Sequence, residues 1–289
     1  MNPSGELLTY LDGQIMPHSQ AMAALQAKGV ASAGGFYDTE RTFDGRVFRL
    51  RQHLERLYGG LAFAKIDAGL SLDEMEMATE RILEDNRRML RPGQEYTVTQ
   101  VVSTREDPGA EAASGVTVVI YCQPLDVGAF AAGYVRGVRL VTPVTYGVPD
   151  SAAGGSAEGS AQVIPLMTNQ EGSITECSGA NFMFVRDGRI KLPDRHNVLP
   201  GVSMQTVLEL ADELGLAVDE DDYSTYDVYT AGEAFISSTR FCMLPVAAVN
   251  GYAMPAGVPG PTTARLLDAW RELVGVDFVR RALEHAPDA

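Results

Sequence analysis

Four groups of residues offer chemistry in this sequence. Glu176 follows Ile174 in a strand-like run of small or apolar neighbours, a costly place for a carboxylate unless something pairs with it. A protonated ring nitrogen would serve as that partner, and so would an arginine from a neighbouring strand. Leu199-Pro200-Gly201-Val202-Ser203 opens an amphipathic stretch, and open N–H groups with a positive dipole end at a helix start attract phosphate. Ser237-Ser238-Thr239 closes a strand with three hydroxyls able to donate to phosphate oxygens, although serines that merely form turns are commoner. Arg56 lies beside Leu54 and Leu57, so its guanidinium either snorkels to water or finds an anion. The last three groups suit a single bound anion. Each also has a plain reading as a helix start, a turn or a surface arginine.

The surrounding pattern supplies the elements that must position these residues. Asp12-Gly13, Asp44-Gly45 and the turn Arg186-Asp187-Gly188-Arg189 sit between alternating runs and predict β-hairpins. Leu54, Leu57, Tyr58 and Leu61 recur at helical spacing within 51–64. Ser71-Leu72-Asp73-Glu74 has the capping-box form and opens a helix expected to reach about Leu90 before Pro92-Gly93. The β-branched runs 96–103 and 116–122 read as paired central strands. Residues 1–122 therefore form an α+β unit, 123–133 (QPLDVGAFAAG) an interdomain linker, and 134–289 a second, α/β unit. In the second unit, strands are expected at 138–145, 163–185, 217–218, 233–239 and 241–249, with helices at 201–215 and 261–273. Between them, GVPDSAAGGSAEGSAQ (147–162) is almost without bulky apolar residues.

Composition excludes several classes of function. A formal net charge of −15 argues against nucleic acid or an anionic membrane as partner, because both require a basic footprint. No run of about 18 apolar residues exists and the N-terminus lacks signal-peptide order, so a cytoplasmic protein is expected. Cys122, Cys177 and Cys242 are widely spaced and fit reduced thiols better than a disulfide framework. The four histidines form no ligand-spaced pair with each other, so no metal is expected. Only three of the 23 basic residues are lysines: Lys28, Lys65 and Lys191.

Taken together, these residues resemble the class IV aminotransferases, the fold-type IV pyridoxal-phosphate enzymes. That group includes branched-chain and D-amino acid aminotransferases, R-selective amine transaminases and aminodeoxychorismate lyase. The resemblance is carried by Phe36 to Leu57, Gly172 to Glu176 with Asn181-Phe182, Leu199 to Ser203, and Phe235 to Thr239 with Pro245-Val246. It implies a two-domain α/β (α+β) architecture with a C-terminal pseudo-barrel, a homodimer, and a small-molecule amino acid, amine or keto acid as substrate. It also implies that Arg56, Gly201, Val202, Ser203, Ser238 and Thr239 hold the phosphate of pyridoxal 5'-phosphate or pyridoxamine 5'-phosphate, with Glu176 on the pyridinium nitrogen.

One departure falls at the centre of the family chemistry. Relatives carry a Schiff-base lysine between the strand equivalent to 138–145 and the strand leading to the glutamate, whereas 147–162 contains no lysine. A second, lesser difference is Thr99, where many relatives have an arginine. The lysine both makes cofactor exchange with substrate fast and moves the substrate proton. Its absence implies noncovalent cofactor binding and non-standard or lost transamination, with catalytic residues unknown and His196, Tyr37 or Tyr146 as guesses for a replacement base. The alternatives are a noncatalytic ligand-binding or partner protein, or an enzyme repurposed for another phosphate-bearing ligand.

Overall fold

The structure, a computed structural model, describes residues 5–27, 35–91, 93–104, 115–143 and 163–286. The chain divides into two compact units, Met1–Asp126 and Val127–Ala289.

The first unit is an antiparallel sheet with helices on both faces. β1 (Leu8–Leu11) and β2 (Gln14–Pro17) pair across Asp12-Gly13, whose φ values of 46° and 88° are those of a left-handed two-residue turn. α1 (His18–Ala27) occupies a segment whose Ala-rich sequence carries no helix-start signal. β3 (Phe36–Phe43) and β4 (Arg46–Val47) turn at Asp44-Gly45 in the same way. α2 (Leu50–Ala64) and α3 (Leu72–Asn86) follow. Ser71 and Glu74 close the capping box on α3, but the α-helix stops at Asn86 rather than near Leu90 and tightens into a 3₁₀ turn over Arg87–Met89. Asn86 is buried there, exchanging two hydrogen bonds with the backbone of Leu8, and this tertiary tie fixes the helix end. β5 (Glu95–Thr104) and β6 (Val116–Leu125) form the long central pair of a sheet ordered β2-β1-β6-β5-β3-β4. Leu54, Leu57 and Leu61 of α2 and Met75 and Ile82 of α3 are buried against Tyr96, Val98, Val118 and Ile120. Each fully buried aliphatic side chain contributes roughly 1.5–3 kcal/mol.

Residues 123–133, where the sequence reads as a linker, hold the end of β6, a 3₁₀ turn at Gly128–Phe130, and the start of α4 (Ala131–Arg136). The second unit continues with β7 (Val138–Val141), shorter than the 138–145 expected, β8 (Val163–Thr168) and β9 (Ile174–Cys177). Next are β10 (Asn181–Arg186), β11 (Arg189–Pro193) and α5 (Val202–Glu213). β12 (Val218–Asp221) extends the strand expected at 217–218 into the acidic run, and α6 (Thr225–Tyr229) lies in the segment 219–229, which sequence alone leaves polar. β13 (Glu233–Ser238), β14 (Cys242–Val249), β15 (Tyr252–Ala253), α7 (Pro261–Val274) and α8 (Phe278–Glu284) complete the chain. α8 has no counterpart in the sequence reading; Phe278 anchors it against Trp270 and Tyr134.

The strand path is β12-β11-β10-β13-β14-β7-β8-β9, with β15 on β14. β9 ends this path, yet only Ser178-Gly179-Ala180 separate it from β10, and Cys177 bridges Ala180. Three residues reach roughly 10 Å, whereas the five strand spacings from β9 to β10 in a flat sheet would require about 24 Å. The sheet must therefore curl into a partial barrel, and the curl brings Glu176 on β9 to the start of β10. No helix among the described residues is long and apolar enough to cross a membrane.

Glu40 on β3 is fully buried, with Oε2 accepting from Gln100 Nε2 at 3.1 Å. Its Oε1 has no partner among the described residues. Burial, and secondarily the charge of Asp38, raise its pKa well above the usual carboxylate range. The folded chain thus holds a proton that the unfolded chain loses as pH rises past the ordinary glutamate value, so Glu40 lowers stability with increasing pH. Glu40→Gln is expected to stabilise the fold by about 1–3 kcal/mol at pH 8 and by less at pH 4.5. Melting temperatures of the two proteins at both pH values check this.

Candidate functional site

Glu176 is half-buried on β9. Its Oε2 accepts from the backbone N–H of Leu199 at 3.0 Å and from Asn181 Nδ2 at 3.1 Å. Oε1 accepts no hydrogen bond from a described residue, so the carboxylate is fixed by one oxygen and presents the other. Burial raises its pKa, and the Leu199 N–H partly offsets the rise; a cation or an N–H⁺ donor facing Oε1 would relieve the penalty. The partner that sequence leaves open as an arginine from a neighbouring strand is instead an amide side chain and a backbone N–H.

The same asparagine organises the helix start. Asn181 Nδ2 also donates to the Leu199 carbonyl at 2.9 Å, which ties β10 to the segment that opens α5. Gly201 is the residue before α5, with φ −69° and no side-chain cap. The first intrahelical bond runs from Gln205 N to the Gly201 carbonyl at 2.9 Å, which leaves the N–H groups of Val202, Ser203 and Met204 without intrahelical acceptors. The positive end of the α5 dipole falls on these groups. Val202 and Ser203 are buried. Across the β10–β13 ladder Asn181 lies opposite Ser237, whose buried Oγ finds no partner among the described residues. Ser238 ends β13 opposite Cys242, and Thr239 follows in the loop to β14. Within the second unit, Asn181 therefore stands between the α5 start, Glu176 and the hydroxyl-bearing end of β13.

Arg56 belongs to the first unit, on α2. Its Nε donates to Asp38 Oδ2 at 2.8 Å and its Nη2 to Asp38 Oδ1 at 2.6 Å. His53 Nδ1 lies 2.8 Å from the same Oδ1. The anion that the position of Arg56 beside the buried face calls for is thus a buried aspartate on β3. Burial alone would raise the Asp38 pKa, but hydrogen bonds from His53 and Arg56 outweigh it and hold it below the usual value. Burial lowers that of His53, which acts as a neutral support. Asp38, Glu40 and His53 also place ligand atoms within 4.8 Å of one another. A cation there would compete with the guanidinium already seated on Asp38.

The lysines and the guessed bases are placed as follows. Lys191 on β11 is 9 % exposed and its Nζ pairs with Asp219 at 2.5 Å. Lys65 is exposed at the C-terminus of α2, while Lys28, Tyr146 and the segment 147–162 lie outside the described residues. His196 is exposed, and its hydrogen bond to the Asp194 carboxylate raises its pKa. Tyr37 is 71 % exposed. The pairings Asp38 with Arg56 and Asn181 with Glu176 are what sequence reasoning missed. An aspartate alternating inward on β3 was the one available signal for the first.

A profile of the family described as Amino-transferase class IV matches residues 35–148 and 156–249. The chain belongs to this family. The class IV chain is 25% identical over 287 residues to a branched-chain-amino-acid aminotransferase of Pseudomonas aeruginosa, with 92% of each chain covered. It is also 25% identical over 270 residues to a D-alanine aminotransferase of Bacillus licheniformis, covering 89% of this chain and 94% of the relative. Its fold is similar to that of the branched-chain amino acid aminotransferase of Thermobaculum terrenum in its PLP form, with a TM-score of 0.77, 23% identity, and 96% and 97% of the two chains covered.

Arg56→Ala would leave the buried Asp38 carboxylate with His53 and the Thr39 backbone N–H but no guanidinium. Removing one member of a buried pair costs about 3–5 kcal/mol, and with His53 retained the lower figure, about 3 kcal/mol, is expected in urea unfolding at pH 7.

Proposed function

We propose that this class IV chain binds pyridoxal 5'-phosphate or pyridoxamine 5'-phosphate without a covalent bond, and that it acts on amino acids, amines or keto acids by a route that uses no Schiff-base lysine. The observation that carries the reading is Glu176: one oxygen held by two donors, the other presented, beside a helix start with open N–H groups. That donor set fits a ligand with a basic ring nitrogen at one end and a phosphate at the other. The Ser237 hydroxyl, without a partner among the described residues and opposite the same asparagine, supports a polar occupant. The family relation and the PLP form of the Thermobaculum terrenum relative support the choice of cofactor.

In this reading Glu176 keeps a proton on the ring nitrogen through Oε1. The N–H groups of Val202 and Ser203 and the hydroxyls of Ser238 and Thr239 bind the phosphate, and Gly201 leaves the helix start uncapped. Arg56 is assigned to phosphate binding by its family resemblance. When bound, the cofactor supplies an electron sink for charge developing next to the substrate nitrogen. The amine that would hold its aldehyde is missing from 147–162, and Lys191 is committed to Asp219. This favours, as a second reading, a protein that holds the cofactor or a similar phosphate ester without turning substrate over. A cytoplasmic homodimer completes the proposal.

Titration of the purified protein with pyridoxal phosphate is expected to give a saturable change in the cofactor absorbance. Glu176→Gln should weaken pyridoxamine phosphate binding by roughly tenfold or more, the worth of a hydrogen bond to a charged group. No saturable change for either cofactor form would sink the proposal. Binding with no amine exchange between pyridoxamine phosphate and any keto acid would select the second reading.

A further inference from the structure

Glu176 has a fixed direction because of a neighbour to which the proposed function gives no task. Asn181 Nδ2 donates to Glu176 Oε2 and to the Leu199 carbonyl at 3.1 and 2.9 Å, while the Leu199 N–H donates to the same Oε2 at 3.0 Å. Three groups from β9, β10 and the segment before α5 thus share one small network, in which Asn181 is the only side-chain donor to the carboxylate among the described residues. The amide is packed on its other side as well. A Cβ on Gly201 would lie 2.0 Å from Asn181 Oδ1 and 3.2 Å from its Cγ. Gly201 has an ordinary φ of −69°, so its glycine identity answers to space and not to backbone conformation. The atom it makes room for is that of Asn181.

We infer that Asn181 is a positioning residue that aims the Glu176 carboxylate, and that Gly201 is required because any side chain there would push the Asn181 amide off its two acceptors. The ligand that Glu176 meets rests on the proposed function, but the network and its test do not. An amide that donates to a carboxylate stabilises its charged form, and a second carboxylate in the same place would destabilise it. An asparagine kept for shape alone would be replaced best by aspartate, which has nearly the same outline.

The test follows the Glu176 carboxyl by carbon-13 NMR in the ligand-free full-length protein labelled at glutamate, with the Glu176 signal assigned by its loss in Glu176→Gln. Asn181→Ala is expected to titrate at higher pH than wild type, and Asn181→Asp higher still. Gly201→Ala is expected to move the titration in the same upward direction with Asn181 intact, so the inference can be tested even if an Asn181 variant fails to fold. An unchanged Glu176 titration in Gly201→Ala, or an Asn181→Asp protein closer to wild type than Asn181→Ala, would overturn it. In a second measurement, Asn181→Ala is expected to weaken pyridoxamine phosphate binding about tenfold. If wild type binds none, the proposed function fails while the titration order still decides the role of Asn181.

Discussion

The second unit depends on one side chain that bonds in two directions. Asn181 begins β10, and its amide joins the carboxylate of Glu176 on β9 to the backbone that opens α5. The curl of the sheet makes this possible, since β9 and β10 are neighbours in sequence and stand at different places along the strand path. A half-buried carboxylate is tolerated here because two donors fix one oxygen. The same donors leave its other oxygen open to whatever completes the site.

In the first unit a different arrangement solves the same physical problem. Asp38 is buried, but a bidentate guanidinium and an imidazole satisfy it and hold it ionised. Two residues along the same strand, Glu40 accepts from one amide and forms no ion pair among the described residues, and burial drives it toward the protonated form. Residue type alone does not separate the two; the donors that α2 delivers do. Arg56 is therefore part of the structural economy of its own unit, whatever further anion it meets.

Much of the fold could be read in the sequence because its signals are local. Asp12-Gly13, Asp44-Gly45 and Asp187-Gly188 all adopt the left-handed turn that their residue types favour, and Ser71 with Glu74 forms the expected capping box. α1 and α8 escaped because both are short and have few buried positions to set a period; Ala21 is buried in α1, and α8 is held by its Asp277 cap and buried Phe278. The helix end at Asn86 escaped because its cause lies on β1. At the candidate site, Glu176 and the turn before α5 were visible as a costly carboxylate and an uncapped helix start. Asn181 was not, because its importance lies in a contact with Gly201 across 20 residues of sequence, and a glycine before a helix has commoner explanations.

The proposed function makes Glu176 and the start of α5 a cofactor site without a covalent anchor, in a chain whose 147–162 segment holds no lysine. Paired mass measurements on the protein loaded with pyridoxal phosphate test this most directly. Under native conditions each chain should carry one cofactor, and after borohydride treatment and denaturation the chain should return at its unmodified mass. A reduced cofactor adduct that survives denaturation and maps to Lys28, Lys65 or Lys191 would contradict the account.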